Sequence, residues 1–126
     1  MEHPLINRLT TELGWPCLSS EEDLLTWTRR PGAHVLFVPG DWERNLETAD
    51  VAVILPELCT AFQGRFDCAV VSTETEGHVK ESSGINKTPA LVFYRDGACL
   101  GGIAKVRDWD DYMRRTARLL DHPVAA

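Results

Sequence analysis

No C-x-x-C pair occurs anywhere in the 126 residues. The four cysteines, Cys17, Cys59, Cys68 and Cys99, are scattered. That excludes a compact dithiol centre and leaves each thiol to be read as a small core residue. His3, His34, His78 and His122 show no paired ligand spacing, so the pattern supports no metal site. A glycine-rich phosphate loop and a Ser-His-Asp signature are both missing, and no cofactor is expected. No apolar run is long enough to cross a bilayer. The start, Met1-Glu2-His3-Pro4, has neither the positive charge nor the unbroken apolar stretch of a secretory leader. A cytoplasmic location with reduced thiols is therefore expected. Basic residues are outnumbered, 13 Lys and Arg against 19 Asp and Glu, for a formal net charge of -6 and a pI of about 5.1. Such a balance gives no electrostatic reason to hold nucleic acid or an anionic membrane. A basic peptide or a basic protein surface is the better partner.

What is present reads as one packed domain over residues 1–126, with 44% hydrophobic and 25% charged residues. Leu5, Ile6, Leu9 and Leu13 recur at helical spacing, and Gly14 stops them. A short extended piece follows at 16–18. Ser19 and Glu22 have capping-box spacing and predict a second helix, which Pro31-Gly32 ends. Residues 35–38 and 66–71 are apolar runs suited to strands covered on both faces, as in a parallel sheet. Between them the pattern predicts a helix over 48–62, with Val51, Ile54, Leu55, Leu58 and Phe62 inward and Pro56 as a kink. Residues 73–83 are polar, with room for one short helix. Residues 89–94 and 98–103 flank the turn Asp96-Gly97 as a hairpin. Asp108 should cap a last helix whose inward face carries Trp109, Tyr112, Met113, Thr116, Ala117 and Leu120.

Parallel crossovers, then a hairpin and a closing helix, give an α/β three-layer domain with a central mixed sheet. The order resembles thioredoxin with an extra N-terminal helix. The stretch from Thr88-Pro89 to Asp96-Gly97 resembles that fold's proline-opened strand and hairpin, and Phe62-Gln63-Gly64-Arg65 resembles the end of its long helix. The resemblance implies a cis Thr88-Pro89 bond. It also locates what is missing. Thioredoxin chemistry needs two thiols on the first turn of the long helix, and residues 40–48 contain no cysteine. The strand at 35–38 also lacks the buried carboxylate that redox members use as a proton acceptor.

A narrower resemblance is to the HyaE/HupG family, thioredoxin-like accessory proteins of uptake NiFe hydrogenases. It is carried by Gly14-Trp15-Pro16, the helix from Ser19 to Trp27, the motif-free window, Gly84-Ile85 and the proline-opened strand. It implies a maturation chaperone that binds the twin-arginine signal peptide of the hydrogenase small-subunit precursor before export. Such a receptor needs carboxylates beside apolar surface. Asp41, Glu43, Glu47 and Asp50 cluster with Trp42 and Leu46, and Thr88 and Pro89 should lie near the same end of the sheet. These eight residues are the expected peptide-binding set. The same acids also read as a solvated helix start favoured by the helix dipole. Two other classes stay open: a single-thiol redox protein using Cys59 or another accessible cysteine, and a scaffold module without a peptide groove.

Overall fold

A computed structural model describes residues 3–121. The elements run α1 (Pro4–Thr11), β1 (Cys17–Leu18), α2 (Glu21–Thr28), β2 (Ala33–Val38), α3 (Glu47–Ala61), β3 (Phe66–Val71), a 3-10 turn (Thr73–Thr75), α4 (Glu76–Ser83), β4 (Ala90–Arg95), β5 (Ala98–Ala104) and α5 (Trp109–Leu120). The sheet order is β1-β3-β2-β4-β5. β1, β3 and β2 pair parallel, while β4 runs antiparallel to both β2 and β5. Among the described residues no helix is long and apolar enough to cross a membrane.

The continuous apolar runs are explained by cover on both faces. Val35 and Phe37 of β2, with Phe66 and Val70 of β3 and Leu91 and Phe93 of β4, pack under α1, α3 and α5. Their alternates Leu36, Val38, Ala69, Val71, Val92 and Tyr94 pack under Leu24 of α2 and Val79 of α4. Side chains of successive strand residues point to opposite faces, so a strand between two helical layers must be apolar throughout. α3 presents Val51, Ala52, Leu55 and Leu58 to the core and continues through Pro56. The Asp96-Gly97 turn has φ of 51° and 88°, the left-handed pair that a tight hairpin requires.

Several local expectations need correction. The helix cap is one residue later than its spacing suggested: Ser20 Oγ accepts the Asp23 N–H at 3.1 Å, and Asp23 reaches back to the Ser19 N–H at 3.4 Å. Asp108 holds the N-cap position of α5 but its side chain makes no cap bond. Trp109 is 43% exposed at the helix start rather than turned inward. Cys17 and Cys99 are exposed rather than core residues, because each lies on an outer strand, β1 or β5. Residues 73–83 form a 3-10 turn followed by α4.

Candidate peptide-binding cleft

The parallel strands β2 and β3 end side by side, and in open α/β sheets ligands bind outside such carboxyl ends. Here the chain leaves β2 through Pro39-Gly40 and β3 through Ser72-Thr73. Two cavities meet at this edge. One, of about 490 Å³, lies between α1 and the strand ends, with Ile6 and Thr10 on its helical wall. The other, of about 670 Å³, lies between the 40–43 loop, the start of α4 and Thr88. Gly40, Trp42, Thr73 and Glu76 line both.

The loop is pinned from several sides. Thr88-Pro89 is cis. Asn45 Nδ2 donates to the Thr88 carbonyl at 2.9 Å, and Asn45 Oδ1 accepts the Glu47 N–H at 3.0 Å. Buried Thr48 donates from Oγ1 to the Pro39 carbonyl at 2.9 Å. Gly40 has φ of +74°, and a Cβ there would lie 2.2 Å from Thr88 Oγ1, so only glycine permits this approach. On the far side the edge of His3 meets Trp42 at 5.3 Å between ring centroids, linking the extra helix to the loop.

The expected peptide-binding residues divide. Asp41, Trp42, Glu43 and Thr88 come together around the second cavity. Leu46 stands 85% exposed at the start of α3, and Asp50 is exposed in its first turn. Glu47 is turned to other work: its Oε1 accepts the Val106 N–H at 3.0 Å, tying α3 to the segment after β5. Pro89 is buried. Sequence reasoning missed Gly40, Asn45 and Glu76. The asparagine had a usable signal, since Asn two residues before a helix start forms an Asx turn. Glu76 had none, because its segment shows no apolar periodicity.

Glu76 opens α4, only 8% exposed, and its Oε2 accepts the Gly40 N–H at 3.2 Å. Burial pushes its carboxyl above the usual range, partly offset by the Gly40 bond and by Lys80. The thiols lie elsewhere. Cys59 is about twelve residues into α3, roughly 18 Å from its start at 1.5 Å per residue. Its Sγ is 3.7 Å from the Phe66 carbonyl. A hydrogen bond from Cys68 lowers the Cys59 thiol to about 7, while the Cys68 thiol, bonded to Cys59 and buried, is pushed up. Buried His34 is equally remote, at the opposite end of β2, with Nδ1 on Asp67 and Nε2 2.8 Å from the Arg30 carbonyl. Among the described residues no group of three or more His, Cys, Asp or Glu could hold a metal ion; His122 lies outside them.

Residues 5–112 match the family model described as Hydrogenase-1 expression protein HyaE. The chain belongs to this HyaE family. It is 59% identical over 118 residues to the hydrogenase expression/formation protein HupG of Rhodobacter capsulatus, covering 94% of this chain and 86% of that one. A solved structure of a HupG from Rhodopseudomonas palustris aligns at TM-score 0.55 and 34% identity, over 83% of this chain and 94% of the other. Mitochondrial thioredoxin 3 of Saccharomyces cerevisiae aligns at TM-score 0.68 over 87% of this chain and 97% of its own, with 12% identity. The family therefore has a thioredoxin-like fold. In this member the cleft sits where the long helix begins, in a window without cysteine.

Proposed function

We propose that the protein is a non-catalytic chaperone of hydrogenase formation, acting in the cytoplasm. It binds the twin-arginine signal peptide of the hydrogenase small-subunit precursor and holds back export until assembly is complete. The observation that carries the reading is the cleft itself. Where thioredoxins place a thiol pair, this chain places Asp41, Trp42 and Glu43 over a cavity floored by Glu76. Carboxylates beside an aromatic ring suit a basic peptide, and the family is one of hydrogenase expression proteins. Leu46, exposed at the helix start, offers apolar contact to the stretch that follows the arginines. Glu47, Asp50 and Pro89 are then framework or flank rather than primary contacts.

The test is capture of the small-subunit precursor by the purified protein, with and without its leader. Retention of the full precursor and loss of the leaderless form is the expected result. Equal capture of both forms would move the interface to the mature subunit, and capture of neither would remove the reading.

A further inference from the structure

We infer that the Glu76 carboxylate anchors a guanidinium group, and that at this point the cleft selects arginine over lysine in a basic peptide. The inference rests on the peptide-binding reading above and names what that surface recognises.

Glu76 is more than nine-tenths buried, yet it is half used. Oε2 takes the Gly40 N–H, whereas Oε1 accepts no hydrogen bond from any described residue. No Lys, Arg or His among the described residues forms an ion pair with it. Oε1 is not among the buried unpaired atoms, so it keeps access to solvent, and Lys80 acts on the carboxylate without pairing with it. The side chain borders both cavities, so the open oxygen is reachable from the cleft. Among the described residues, Lys80 is the sole Lys or Arg lining either cavity, against the acids Asp41, Glu43 and Glu74.

Trp42 supplies the discrimination. Trp42 lines both cavities, as Glu76 does. A guanidinium can give an N–H to Oε1 while its plane lies along an indole, whereas an ammonium makes the first contact without the stacked second. The same chain shows the arrangement elsewhere, with the Arg30 guanidinium 4.7 Å from the Trp27 ring centroid. A purely structural role for Glu76, holding the Gly40 N–H, needs no charge; a glutamine carbonyl accepts that bond equally well.

Three probes separate the possibilities: a synthetic twin-arginine leader, its Lys-Lys counterpart, and acetyl-Arg-Arg-amide, each titrated into nitrogen-15-labelled wild type and Glu76→Gln. The expected result is at least about tenfold weaker binding of the arginine leader by Glu76→Gln, from loss of one charge-assisted bond. The Lys-Lys leader should bind wild type more weakly by a similar factor, from loss of the stacked contact, and should weaken further in the variant because its ammonium also uses Oε1. Acetyl-Arg-Arg-amide should shift the Gly40 and Gly77 amide signals of wild type only. Should the variant bind the arginine leader as wild type does, with arginine still preferred, the inference is overturned while the chaperone reading stands. If no leader binds but acetyl-Arg-Arg-amide still moves those signals in wild type alone, the guanidinium site stands and the leader reading fails. Absence of any shift overturns the inference. The Lys-Lys comparison and the presence or absence of the amide shift are both read on wild type, so arginine preference and binding at the Gly40 end of the cleft are decided even if the variant folds poorly.

Discussion

Two titratable side chains are held in unusual states, and each gives a measurable consequence. Burial raises the Glu76 carboxyl, so its ionised form is disfavoured in the folded chain. A group whose folded pKa is raised contributes stability below its unfolded pKa and loses it as pH rises through the folded value. Glu76→Gln should therefore unfold at or above the wild-type midpoint at pH 7, by thermal or denaturant melts compared between pH 4 and 7. A clear loss of stability at pH 7 would mean that the charge has an internal partner. Cys59 runs the other way. With the Cys68 hydrogen bond lowering its thiol to about 7, alkylation at Cys59 should rise through a midpoint near that value. Cys68→Ala removes the donor, so the midpoint should move up toward the ordinary thiol range. Site-resolved mass spectrometry across pH reads both; an unmoved midpoint would show that Cys68 does not set it. The sequence placed Cys59 near the apolar face of its helix and Cys68 in a buried strand. Their partnership was not legible, because it depends on how α3 crosses β3. Glu76 was hidden for a similar reason: its hydrogen-bond partner Gly40 lies 36 residues before it.

At the scale of elements, the strands and the long helix were the readable part. Residues 66–71 formed the expected strand, and α3 began one residue early, because long apolar patterns are set by burial that alternates regularly. Loops were less readable because their partners are distant in sequence. Asn45 illustrates this: its two hydrogen bonds join the loop, the α3 start and the cis-proline segment 43 residues away. Asn45→Ala should cost about 1–2 kcal/mol, since it leaves two partly buried groups unpaired. Asp50→Ala, exposed and one turn further on, should change stability by no more than about 0.5 kcal/mol. Chemical denaturation compares the two; equal effects would mean that the loop is not held by Asn45. The same geometry decides which acids can be reversed without disturbing the fold. Glu47 carries the Val106 N–H, so replacing it by Lys disturbs the α3–β5 connection as well as the surface. Asp41 and Glu43 line the cleft and make no such connection, so they are the pair to reverse.

For the molecule as a whole, the charge balance and the cleft act on different parts of binding. On the proposed reading, a net charge of -6 would draw a basic leader toward the protein from beyond contact distance, while Glu76 and Trp42 would act only once it had arrived. Exposed ion pairs are each worth only about 0–1 kcal/mol, so neither Asp41 nor Glu43 alone should decide affinity. Part of Asp41 is already engaged, with Arg44 3.5 Å away and the Glu43 N–H on its other oxygen at 3.2 Å. Asp41→Lys combined with Glu43→Lys changes the local charge by four while leaving the Gly40 bond to Glu76 in place. The pair should slow association of a twin-arginine leader by about tenfold at low salt, with little change in dissociation. At 0.15 M ionic strength the screening length is about 8 Å, and the difference should shrink toward twofold or less. Stopped-flow association at several salt concentrations reads this directly. A loss carried by the dissociation rate and indifferent to salt would assign the two acids to direct contact instead, leaving the long-range attraction to the molecule's remaining acids.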